Sequence, residues 1–165
     1  MVDAEPHPAL LEALRQLEAI LGTTVIADYS DDHTRWGLYR TAINAPEALP
    51  TLLRAVSVEQ DASLASGVVG EVLERIDPQA RPAWVQALDP SVREFSARRT
   101  RELHVLESIR SGTFPATQVA DVIDEWSNWL QLRIATDVSD KVINQALSER
   151  GRTKRIRNTA RNSLR

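Results

Sequence analysis

The chain has no cysteine among its 165 residues. Disulfides, thiol nucleophiles and cysteine-based zinc sites are therefore excluded together. Aromatic residues are scarce: two Phe, two Tyr and four Trp, so Leu, Val, Ile and Ala must build most of any core. No apolar run approaches the roughly 20 residues a membrane helix needs. The opening residues, Met1-Val-Asp-Ala-Glu-Pro6, lack the basic and then apolar pattern of a secretory signal. A soluble protein of the cytoplasm is expected. Gly67-Val-Val-Gly70 lies inside a helical pattern and is no phosphate-cradling loop. Neither a G-x-S-x-G elbow nor an H-E-x-x-H pair occurs. No cofactor, metal or catalytic constellation is expected.

What is present is ordinary in amount and distinctive in arrangement. Hydrophobic residues at 42% and charged residues at 26% are the proportions of a soluble globular chain. A chain of this size buries roughly 68–70% of the surface it would expose unfolded, so it needs no covalent staples. A single all-helical domain over residues 1–165 is expected. The net charge of −3 hides an asymmetry. Residues 152–165 hold six basic side chains and no acidic one, while the rest carries 14 basic against 23 acidic groups.

Leu10, Leu14, Leu17 and Leu21 recur at helical spacing and predict a first helix that Gly22 ends. Thr23 to Tyr29 is β-branched, but a lone strand is unstable, so an extended link is expected. The cluster Tyr29-Ser-Asp-Asp-His33 opens a helix through about Ile43. Leu49 to Val58 is a short helix, and Asp61 or Ser63 caps another running to Ile76. Asp77-Pro78 ends that one, and Arg81-Pro82 opens a short helix carrying Trp84, Val85 and Leu88. Asp89-Pro90-Ser91 is a start signal for a long helix to Arg110, with Val92, Phe95, Ser96, Leu103 and Leu106 on its apolar stripe and Arg99 inside it. Gly112 closes this helix. Thr117 to Arg133 predicts one more, Ser139 caps Asp140–Arg150, and Gly151 precedes a basic terminal helix. About nine helical segments joined by short links predict antiparallel neighbours.

Two stretches, Asp61-Ala-Ser-Leu64 and Asp89-Pro-Ser-Val92, lie 28 positions apart, and each opens the second helix of a hairpin. A spacing near 30 residues is the mark of stacked helix pairs. Asp89-Pro-Ser-Val-Arg93 followed by Ser96-Ala97 resembles the second helix of HEAT-type repeats. Ile156-Arg157-x-x-Ala160-x-x-x-Leu164 is similar, 64 residues further on. Leu64-Ala65 with Val68-Val69 matches only the apolar part, since Ala65 stands where the family often has Arg. The resemblance covers roughly residues 46–165. It implies antiparallel hairpins stacked in a short HEAT-like array that binds proteins or nucleic acids; an irregular helical bundle is the alternative.

The lead expectation for function is a non-enzymatic adaptor for another protein. The second is nucleic-acid binding through Lys154, Arg157, Arg161 and Arg165, which lie opposite or beside the Ile156–Ala160–Leu164 stripe on a helical wheel. Four aligned cations suit phosphates, although no aromatic side chains are interleaved for stacking and the remaining chain is acidic. The third is a base-excision enzyme centred on Asp124 and Trp126, with Trp129 on the same helical face. Some HEAT-like DNA glycosylases work with a carboxylate and aromatic residues. Of the histidines, His33 after Asp31-Asp32 suits a polar capping turn, and His104 suits the surface.

Overall fold

The computed structural model describes residues 5–165. Among them are ten α-helices and three short 3-10 turns, and no strand. The fold is all-α.

Side-chain caps place most of the helices. Helix α1 (Pro8–Leu21) begins on a proline whose missing N–H costs nothing there, with His7 Nδ1 accepting from Ala9 N–H. It ends on Gly22 at φ +64°, a left-handed residue that only glycine adopts freely. Asp31 caps α2 (Asp32–Ile43), and Asp61 caps α4 (Ala62–Val72). Asp89 accepts from both the N–H and the hydroxyl of Ser91 at the start of α6 (Pro90–Arg110). Ser127 caps α8 (Asn128–Asp137), Asp140 caps α9 (Lys141–Arg150) and Thr153 caps α10 (Lys154–Ser163). Each cap supplies an oxygen to a first-turn N–H that has no partner inside the helix.

Between these lie α3 (Leu49–Val58) and α5 (Arg81–Gln86), each preceded by a 3-10 turn, Pro46–Ala48 and Pro78–Ala80. The two helix starts share a pattern. Ala45-Pro-Glu-Ala-Leu-Pro50 and Asp77-Pro-Gln-Ala-Arg-Pro82 are 32 residues apart. In each, the first proline opens the 3-10 turn and the second sits in the first turn of the helix, where no backbone donor is needed.

Contacts divide the chain into two compact units, residues 1–100 and 101–165, with the division inside α6. In the first unit α1 packs on α2 and α3, α2 packs on α4, and α3 packs on α4. In the second, α7 (Ala116–Val122) packs on α9, α8 packs on α10, and α9 packs on both α8 and α10. A helix thus meets both its hairpin mate and the second helix along, the packing of stacked helical hairpins. The second unit's core runs through Leu106, Val119, Ile123, Leu130, Ile134, Leu147 and Ile156.

Five expectations are corrected. The helix read over Thr117–Arg133 is two helices, α7 and α8, joined by a 3-10 turn at Ile123–Glu125. Trp126 is extended there (φ −81°, ψ 145°), and Ser127 restarts the helix by accepting from Leu130 N–H while donating to the Glu102 carboxylate. The helix read as running to Ile76 stops at Val72. Phe95 is 58% exposed and leaves the stripe formed by Ser96, Leu103 and Leu106, all buried. Arg99, read within that stripe, is half-buried and lies over the Phe95 ring at 5.5 Å. Asp140, not Ser139, caps α9.

Candidate interaction surface

The second helix of each hairpin carries a repeated device four residues after its cap. In α2 this residue is Arg35, whose Nη1 donates to the carbonyls of Tyr29 and Ser30, at 2.7 and 3.1 Å. In α6 it is Arg93, donating to the Leu88 and Gln86 carbonyls. In α8 it is Gln131, donating to those of Ile123 and Trp126, and in α10 it is Arg157, donating to Gly151. Each reaches back over the helix start and satisfies carbonyls of the turn just before it. Buried carbonyls need such donors, and a planar multi-donor head is suited to supply them. In α4 the same position is Ala65, whose methyl group can donate to no carbonyl of the preceding turn.

Two of these residues also reach forward to the next turn. Arg35 donates from Nε and Nη2 to the two Glu59 oxygens, at 3.1 and 3.0 Å. Gln131 Oε1 accepts from Arg152 N–H at 2.9 Å. Successive turns are thereby tied together by one side chain. Glu59 is fully satisfied, since Tyr39 donates from its hydroxyl and Asp61 from its N–H. Burial, then the Glu59 charge and hydrogen bond, push the Tyr39 hydroxyl far above its ordinary value.

The long link between α1 and α2 is held by Glu18, buried at 3% exposure. Burial pushes its carboxyl up, but donors from Ile26 N–H, the Tyr29 hydroxyl and Arg15 outweigh this and hold it below the usual range. Nothing in the β-branched sequence of this link announces Glu18 as its anchor.

Where Ala65 replaces the tying side chain, a groove of about 400 Å³ opens. Its walls are the α3–α4 turn, with Ser57 and Glu59, and the α5–α6 turn, with Gln86, Ala87 and Asp89. Arg93 lies at its side with its guanidinium already committed to carbonyls.

The basic terminal helix divides its cations between two tasks. Ile156 and Ala160 are buried, as their spacing predicts. Arg157 is spent on the Gly151 carbonyl, and Arg161 reaches Asn158 and the Ser148 carbonyl near the C-terminus of α9. Cations there complement the negative end of that helix. Lys154 and Arg165 are exposed, and so is Arg155, which sequence reasoning passed over. Among the described residues no carboxylate pairs with any cation of α10.

Asp124, Trp126 and Trp129 do not share a helical face, because the helix breaks between them. Asp124 is 67% exposed and pairs with Arg150 at 2.5 Å. Trp126 is buried, edge-on to Phe114. Trp129 is covered by the Arg133 guanidinium at 5.1 Å. His33 lies in the first turn of α2, its N–H bound by the Asp31 cap, and His104 is exposed on α6. Among the described residues no three His, Asp or Glu side chains converge as metal ligands, and no helix is long and apolar enough to cross a membrane. Comparison with family models, curated proteins and solved structures gives no match.

Proposed function

We propose that this protein is a HEAT-like helical-repeat adaptor that binds another protein. The observation that carries the reading is the recurring hairpin: a helix packed on the second one along, with a side chain four residues past the cap holding the turn. Such stacking presents a row of turns and helix faces, and repeat proteins use these extended surfaces for binding. The test is affinity capture from native lysate of the source cells, with and without nuclease, read by mass spectrometry. A specific protein retained after nuclease supports the adaptor. A turnover activity that survives purification and is lost on one polar substitution overturns it.

A second reading, nucleic-acid binding, rests on the absence, among the described residues, of a paired carboxylate for any α10 cation. It predicts that replacing Lys154, Arg155 and Arg165 by Ala weakens binding of a duplex or single strand and flattens its salt dependence. Unchanged affinity and slope reject it. These three are the discriminating positions because Arg157 and Arg161 also hold backbone carbonyls.

A further inference from the structure

We infer that the groove between the α3–α4 and α5–α6 turns is a binding slot for an arginine side chain of a protein partner. The inference rests on the adaptor reading and names the chemistry of its contact. Its basis is a comparison of equivalent positions within the chain. Between the first two turns Arg35, four past the Asp31 cap, bridges to Glu59, two before the Asp61 cap. One hairpin later the equivalent positions are Ala65, four past Asp61, and Ala87, two before Asp89. Both halves of the bridge are reduced to methyl groups, and both line the groove of about 400 Å³.

The slot keeps the features that receive a guanidinium at the previous junction. The carbonyls of residues 57–60 receive no donor from Ala65, whereas the equivalent Tyr29 and Ser30 carbonyls are bound by Arg35. Asp89 stands at the wall, and its carboxyl is held below its ordinary range by the Ser91 hydroxyl and N–H, so it is ionised at neutral pH. A planar guanidinium can donate to carbonyls and a carboxylate at once. A lysine ammonium is a compact point charge without that fork. The groove is open to solvent on one side, so an incoming side chain enters without unfolding the hairpin.

The probe is N-acetyl-arginine-amide, titrated into isotope-labelled full-length protein and followed by amide chemical shifts. Saturable shifts concentrated at residues 57–62 and 87–89 are expected. N-acetyl-lysine-amide should bind at least threefold more weakly, and N-acetyl-norleucine-amide should leave these signals unmoved. Ala65→Arg fills the slot from within the chain and should weaken binding of the arginine probe at least tenfold. Shifts scattered over the surface, or saturation unchanged in Ala65→Arg, overturn the proposal. Should Ala65→Arg fold poorly, Asp89→Asn keeps the cap oxygen, removes the charge, and should weaken the arginine probe at least threefold; equal affinity overturns it. An independent arm rebuilds the missing bridge. Adding Ala65→Arg to Ala87→Glu should raise the melting temperature relative to Ala87→Glu alone, and a fall overturns the equivalence of the two junctions. If lysate capture returns a partner while the arginine probe does not bind, the adaptor stands and the slot falls. If the probe binds and no partner is captured, the slot stands and the adaptor reading is what fails.

Discussion

Arg35 on α2 and Glu59 before α4 form two near-parallel hydrogen bonds across 24 residues of chain, at 3.1 and 3.0 Å. Their side chains are 8% and 0% exposed. The pair ties one interhelical turn to the next, and its remaining hydrogen-bonding capacity is taken by the Tyr29 and Ser30 carbonyls, the Tyr39 hydroxyl and Asp61 N–H.

Removing either partner leaves the other charge buried and uncompensated. Arg35→Ala or Glu59→Ala is expected to cost about 3–5 kcal/mol. Replacing both by apolar residues of similar volume should cost less than the two single changes added together. Urea unfolding of the three variants measures this, and strict additivity would show that the two residues do not act as a pair.

Glu18 sets a pH dependence. Its folded carboxyl titrates below its unfolded value, with desolvation opposing and the Ile26, Tyr29 and Arg15 donors prevailing. The stability it contributes is therefore fully present above the unfolded value of about 4.3 and is lost as pH falls through the lower folded value. Glu18→Gln should flatten the decline of unfolding free energy below about pH 5. An identical acid limb in the variant would remove Glu18 from this role.

Gly151 is required by proximity, since its φ of −54° is open to any residue. A Cβ there would lie 2.5 Å from the Leu147 carbonyl oxygen and 2.7 Å from Ile156 Cγ2. Gly151→Ala should destabilise by about 1–3 kcal/mol, as overpacking does. Adding Ile156→Ala relieves one of the two clashes, so its further cost in that background should be smaller than in the wild type. Thermal melts of the four proteins decide it.

Leu103 and Phe95 separate the two readings of the α6 stripe. Leu103 is 3% exposed and Phe95 58%. Leu103→Ala should cost about 2–5 kcal/mol, whereas Phe95→Ala should fall within about half a kcal/mol. Equal costs would restore Phe95 to the core.

On α10 the cations should differ in stability in the same way. Arg157→Ala removes the donor to the Gly151 carbonyl and should destabilise by about 1–3 kcal/mol. Lys154→Ala and Arg155→Ala, at exposed sites with no partner among the described residues, should change stability by less than about half a kcal/mol. Chemical denaturation distinguishes them.

Local chemistry alone determined much of the helix inventory. Gly22, Asp61, Asp89, Gly112 and Pro78 act within a few residues of themselves, so their meaning is carried by short sequence. The apolar periodicities of α1, α3 and α10 likewise identified faces that are buried. The 28-residue offset of Asp61 and Asp89 announced the hairpin rhythm, and Ile156–Ala160 announced the packed face of the last helix. Tertiary structure decided the rest, because it depends on groups far apart in sequence. The break at Trp126 needed the Glu102 carboxylate beside Ser127. Glu18 became an anchor because Ile26 and Tyr29 fold back over it. The contrast between Arg35 and Ala65 acquired meaning only when stacking brought successive turns side by side and left one junction tied and the next an open groove.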